Sequence, residues 1–170
     1  MSKHRNSTTH RKIAIATLAV AAVGIPSAAM AQSATAGSSS GTSAAATDQQ
    51  EVVDLVNSER SKAGCEPLTV NEKLTKAAQE HSEDMAAHGD MSHTGSDGSS
   101  PGDRIERAGY SWSTYGENVA YGYESPKSVM EGWMSSPGHK ANILNCDFKE
   151  IGVGVAQPGH YWTQDFGAAR

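Results

Sequence analysis

Apolar and polar positions change their period several times along the chain, and each change marks an element. A mostly apolar run from Ile13 to Ile25 comes first, too short for a comfortable membrane span and closed by Gly24 and Pro26. After a long polar gap, Val52, Val53, Leu55 and Val56 form the stripe of a first helix, with Asp48 placed to cap it and Gly64 to stop it. Pro67-Leu68-Thr69-Val70 reads as a short extended connection. Leu74, Ala77, Ala78, His81, Met85 and His88 then recur at helical spacing behind an Asn71 cap, which predicts a second helix. His81 sits on that apolar stripe and reads as a core histidine rather than a ligand. His88, near the helix end, complements the helix dipole.

Pro101 opens a short helix that Gly109 ends, with Arg104, Ile105 and Ala108 on it. The segment Trp112 to Tyr123 mixes aromatic residues, Val119 and glycines, and predicts a strand with irregular edges. Ser125-Pro126 starts a helix carrying Val129, Met130 and Trp133, and Ser136-Pro137-Gly138 opens a further short helix through Leu144. Ile151, Val153 and Val155 alternate with Gly152, Gly154 and Ala156, so one face of this strand is branched and the other small. Gln157-Pro158-Gly159 turns the chain into a partner strand in which Trp162, Gln164 and Phe166 alternate with Tyr161, Thr163 and Asp165. Helices first and strands last predict an α+β layer arrangement around an antiparallel sheet, with no internal repeat.

Composition adds a compartment. Lys3, Arg5, Arg11 and Lys12 precede the apolar run, and Ala29-Met30-Ala31 follows it, so residues 1–31 read as a secretory signal cleaved after Ala31. Residues 32–47 are Ala, Ser, Gly and Thr without an aromatic or large aliphatic side chain, apart from Gln32 itself, and read as a flexible spacer before a single domain over 48–170. The signal segment holds four of the fourteen basic residues and none of the nineteen acidic ones, which leaves a net charge of −9. That sign gives no general attraction to nucleic acid or to an anionic membrane surface, and no second apolar segment is long enough to span a bilayer. Cys65 and Cys146 are the two cysteines, and in an oxidising compartment the pair reads as one disulfide in preference to two buried thiols. Closing a loop of that length contributes roughly 4 kcal/mol in the chain-entropy picture.

The candidate chemistry lies in four short contexts. His93 stands in Met-Ser-His-Thr-Gly, Glu117 in Tyr-Gly-Glu-Asn-Val-Ala, Glu131 in Val-Met-Glu-Gly-Trp, and His139 in Ser-Pro-Gly-His-Lys-Ala-Asn-Ile-Leu. Two imidazoles and two carboxylates suit a divalent metal or a pair of acid–base groups. A purely structural polar cluster is the competing reading. The chain has no His-Glu-x-x-His helix and no Gly-x-Ser-x-Gly elbow, so neither of those hydrolase signatures is available.

In their order along the chain, Leu55-Val56-Asn57-x-x-Arg60, Pro67-Leu68, Ser92-His93-Thr94 and Gly116-Glu117-Asn118 form the first half of a recognisable set. Ser136-Pro137-Gly138-His139, Ile143-Leu144, Ile151-Gly152-Val153-Gly154 and Tyr161-Trp162-Thr163-Gln164 complete it. The run from Glu51 to Phe166 resembles the CAP superfamily of cysteine-rich secretory, antigen 5 and pathogenesis-related proteins, in its bacterial secreted branch. The resemblance implies a three-layer α-β-α sandwich with a central antiparallel sheet and a large cleft. It also implies that His93, Glu117, Glu131 and His139 converge on the cleft floor, where a divalent metal, zinc foremost, is held by the two histidines with the glutamates as ligands or supports. Gly159-His160-Tyr161 offers a second partial match to the family's histidine motif. His139 is preferred to His160 because it precedes the two final strands, as in the family.

Three functional readings follow. The first is an extracellular binding module whose cleft takes a small apolar ligand, a glycan or a peptide, with Trp112, Tyr115, Tyr121 and Tyr123 as candidate walls. The second is a metal-dependent hydrolase, acting on peptides. The third is a structural or interaction domain whose tetrad is vestigial. Oligomeric state leaves no mark in the sequence.

Overall fold

A computed structural model of the protein describes residues 39–170, with side chains from residue 43 onward. The signal segment and the start of the spacer lie outside the described residues. The elements run α1 (Ser39–Lys62), β1 (Thr69–Val70), α2 (Glu72–His88), α3 (Pro101–Arg107), β2 (Trp112–Tyr121), α4 (Pro126–Ser135), α5 (Pro137–Ile143), β3 (Glu150–Ala156) and β4 (Tyr161–Ala169). Among the described residues no helix is long and apolar enough to cross a membrane.

Local chemistry explains most of the helix ends. Asn71 accepts from the backbone N–H groups of Lys73 and Leu74 at 2.9 and 3.4 Å, and Gly89 closes α2 in the left-handed conformation at φ 65°. Ser100 and Asp103 form a reciprocal capping box at α3, as Ser125 and Ser128 do at α4, each followed by a proline in the first turn. The start of α1 differs from expectation. The helix begins at Ser39, so Asp48 lies inside it rather than capping it. Ala44, Ala45 and Ala46 supply the highest helix propensity of any residue type, and Ala45 packs against the main core.

The sheet order is β1-β3-β4-β2, with the three long strands antiparallel and β1 adding a short parallel pairing to β3. Beyond that pairing, the side-chain amide of Gln79 takes over the outer edge of β3, donating to the Val155 carbonyl and accepting its N–H, both at 3.1 Å. The two faces of β3 decide the layers. On the small face, a Cβ at Gly152 would lie 2.0 Å from the Leu74 carbonyl carbon, and one at Gly154 2.3 Å from the Ala78 carbonyl oxygen. Only glycine lets the α2 backbone approach this closely, and α3 completes that layer by packing on α2 and β2. On the branched face, Ile151, Val153, Trp162 and Phe166 meet Val52 and Val56 of α1 and Val129 and Trp133 of α4, all buried. The result is the three-layer α-β-α sandwich expected of the sequence.

Two links tie the end of α1 to the loop before β3. Cys65 and Cys146 are disulfide-bonded with their Cα atoms 5.1 Å apart. Beside them Arg60, 1% exposed, donates to four carbonyls: Glu66 at 3.0 Å, Ile143 at 3.0 Å, Asn145 at 2.7 Å and Phe148 at 3.2 Å. A buried guanidinium without a carboxylate is retained because carbonyl dipoles replace its lost water.

Candidate functional site

Strand alternation sets which residues of β2 can meet the helices on either side. Glu117 pairs with Asp165 and points to the α2–α3 face, whereas Asn118 pairs with Gln164 and points to the opposite one. The loop after α2 carries His93 over this edge strand. It is pinned on one side by Asp84, which accepts from the Ser96 N–H at 2.8 Å and from its hydroxyl, and on the other by Arg104. The Arg104 guanidinium donates to the carbonyls of Ser99 at 2.9 Å and His93 at 3.1 Å, so α3 fixes the loop backbone beside the histidine itself.

A chain of charge-assisted contacts results. Arg104 Nη2 donates to Glu117 Oε2 at 2.6 Å, and His93 Nδ1 lies 2.7 Å from Glu117 Oε1. The Glu117 side chain is 2% exposed and that of His93 54%, so the carboxylate is the buried anchor and the imidazole the presented group. An ionised carboxylate can only accept, which places the proton on Nδ1 and turns the Nε2 lone pair outward. The hydrogen bond His93 donates to Glu117 raises the His93 pKa above its ordinary value, burial and the Arg104 charge opposing it.

His139 is brought to the same edge by backbone anchors. The Asn118 amide donates to the His139 carbonyl at 3.2 Å and to Gln164 Oε1 at 3.0 Å, while Asn142 donates to the Glu117 carbonyl at 3.1 Å and to Asn118 Oδ1 at 2.9 Å. These contacts lock α5 against β2. Burial lowers the His139 pKa, and the neighbouring His93 lowers it further. His160 instead occupies the β3–β4 turn with φ 52°, beyond the Tyr121–Tyr161 pair that ends the β2–β4 ladder.

Glu131 does not join them. Its side chain is 69% exposed, 4.0 Å from Lys127 one helical turn away, and it borders a groove between α4 and α1 with Leu55, Glu59, Met130 and Met134. Among the described residues no three His, Cys, Asp or Glu side chains are gathered in a way that could hold a metal. Both Glu117 oxygens are already engaged, which leaves Nε2 of His93 and the imidazole of His139 as the donors not committed to another side chain here.

Arg104 and Asp165 escaped the sequence reading as members of this cluster. Arg104 was legible only as a helix residue; its role depends on the loop folding back over α3. Asp165 was legible as one face of the last strand, and its position opposite Glu117 follows from strand register alone. It is 1% exposed, and neither carboxyl oxygen has a hydrogen-bond donor within reach. Burial, then the Glu117 charge, raise its pKa well above the ordinary carboxyl value. The aromatic candidates divide. Trp112 and Tyr115 stack edge to face at 4.7 Å and pack on the core cluster under α2 and α3, while Tyr121 and Tyr123 are exposed at the far end of the sheet.

Comparison with known proteins agrees with this architecture. The chain is 42% identical over 118 residues to the Bacillus subtilis protein YkwD, covering 69% of this chain and 46% of that one. A crystal structure of an extracellular protein containing an SCP domain from Bacillus anthracis superposes with a TM-score of 0.70 at 31% identity, covering 72% of this chain and 41% of that chain. An outer surface protein of Borrelia burgdorferi shares the fold with a TM-score of 0.69 at 24% identity, covering 73% of this chain and 94% of that chain. The chain thus spans less than half the length of the Bacillus relatives it matches. The sequence profile of the cysteine-rich secretory protein family matches residues 53–166, nearly the whole folded domain, and the chain belongs to this CAP family.

Proposed function

We propose that this CAP domain is an extracellular binding module whose contact atom is Nε2 of His93. The observation that supports the reading most directly is the commitment of both Glu117 oxygens, one to Arg104 and one to His93. The carboxylate is spent on orientation, and the half-exposed imidazole is what remains for a ligand. The extracellular setting rests on the signal-like N-terminus and on the Bacillus anthracis relative, itself an extracellular protein. A hydrolytic reading in which Glu117 takes a proton from water is disfavoured, because both of its oxygens are engaged.

Zinc is the metal this site would accept, held by His93 and His139, with Glu117 orienting His93 from behind and water or ligand oxygen filling the remaining positions. Bound there, the ion would supply an electrophilic centre for a polar group of the ligand, be it glycan or peptide. Calorimetric titration of the full chain with zinc tests the assignment. His93→Ala and His139→Ala are each expected to weaken binding at least tenfold, and Glu131→Ala to leave it unchanged. Zinc affinity equal in all variants would remove both histidines from the site. Because the His93 pKa is raised, affinity is expected to begin falling above pH 6.5 as the solution is acidified, with the second proton taken up at His139 only at lower pH.

A further inference from the structure

Between the N-terminal half of α1 and the flank of α2, over the end of β3, runs a groove of about 740 Å³. Its floor is apolar, made by Ala45 and Ala46 of α1 with Val155 and Ala156 of β3. One wall is a stripe of α2 in which Glu72, Lys76, Gln79 and Glu83 follow one another at helical spacing. None of these residues belongs to the His93 site.

A relay of hydrogen bonds decides what the groove presents. The Val155 N–H and carbonyl orient the Gln79 amide, Oε1 accepting from the first and Nε2 donating to the second. Gln79 Oε1 also accepts from Gln49 Nε2 at 2.8 Å, and Gln79 Nε2 also donates to Glu83 Oε1 at 2.9 Å. The hydrogen-bonding capacity of Gln79 is thereby used up, and Gln49 is turned with its amide nitrogen inward to Gln79. Glu83 keeps its second oxygen, and neither Glu72 nor Glu83 has an ion-pair partner among the described residues. The cation on this wall, Lys76, is paired with Glu80, which does not line the groove. The groove therefore offers acceptor oxygen and a carboxylate toward each end of its helical wall.

The spacing narrows the partner further. From Glu72 to Glu83 is three turns of α2, about 16 Å at the helical rise of about 1.5 Å per residue. One exposed carboxylate holds an ammonium only weakly in water, so neither glutamate makes a site alone. Two of them on either side of an apolar floor complement a run of methylenes with a cation at both ends, since an ammonium brings donors and no acceptor. An anion would meet charge of its own sign.

We infer that this groove binds a linear aliphatic cation charged at both ends, the chemistry of long diamines and polyamines. The test is an NMR titration of the full chain at low ionic strength with two diamines of equal charge, diaminododecane, which spans the two carboxylates, and diaminobutane, which does not. The long diamine is expected to shift the methyl signals of Ala45, Ala46 and Val155 saturably, to leave the His93 ring signals in place, and to bind at least tenfold more tightly than the short one. Glu72→Gln and Glu83→Gln should each weaken its midpoint about threefold, the worth of one exposed ion pair. Glu51→Gln, an exposed change on α1 outside the groove, should leave it unchanged. Equal weakening by Glu51→Gln would overturn the site, because the overall negative charge of the chain would then account for the binding. Equal affinity for the two diamines, or shifts that never saturate, would overturn it as well.

Discussion

At the scale of single residues, the site is governed by where one proton can rest. Asp165 is buried without a donor, opposite a glutamate whose charge is already claimed by Arg104 and His93. The fold therefore keeps a proton on Asp165 to higher pH than the unfolded chain, in which the ordinary value is 3.8. Where the folded state binds the extra proton, stability declines as pH rises, from about pH 4 toward the raised folded value. Asp165→Asn keeps the shape and removes the titration, so its stability relative to the native chain should improve steadily from pH 4 to pH 7 in urea unfolding. A constant difference across that range would mean that Asp165 is ionised in the fold. The same residue shows where sequence reading stops. The alternation of β4 reveals that Asp165 shares a face with Thr163 and Tyr161, but only the register of β2 against β4 reveals Glu117 across from it.

At the scale of elements, legibility follows how local the cause is. The ends of α2, α3 and α4 are written in adjacent residues, Asn71, Ser100-Pro101 and Ser125-Pro126, and can be read without knowing the fold. The start of α1 is not, because Ala45 gains its stabilisation from a core assembled by distant strands. Glu131 illustrates the same limit on a helix whose existence is plain. Its α4 turns Val129, Met130 and Trp133 into the core, which leaves the glutamate exposed beside Lys127. The small face of β3 is legible in both pattern and consequence. Gly154→Ala would drive a methyl group into the α2 backbone, which no side-chain rotation relieves. We expect a loss of at least about 3 kcal/mol by chemical denaturation, at or beyond the upper end of ordinary overpacking. Gly138→Ala, with open space around its Cβ, serves as the control and should be neutral or slightly stabilising. Equal effects at the two positions would contradict the close helix–strand contact.

At the scale of the whole molecule, the α1 end and the loop before β3 are held by two different chemistries side by side. The disulfide acts on the unfolded chain by restricting it, whereas Arg60 acts on the folded one by gathering four carbonyls. Reduction should therefore lower stability by about 2–5 kcal/mol while the native protein keeps its fold under gentle conditions. Unfolding curves with and without reductant would check this, and superposable curves would deny the bond any role. The alternation of branched and small residues in β3 made the antiparallel sheet readable, and the ordered motifs that resemble the CAP family implied the sandwich. The exposure of Glu131 beside Lys127, in a groove with Leu55 and Glu59, was not readable, since it depends on how α4 packs against α1.

The amide of Gln79 has a consequence beyond the two hydrogen bonds it makes. A strand at the border of a sheet is a template onto which another chain can add, and β1 shields only the first residues of β3. By closing the ladder at Val155 with a side chain that belongs to α2, the protein ends its sheet without a further strand. The helix that fills the small face thus also occupies the backbone groups that an added strand would need at Val155.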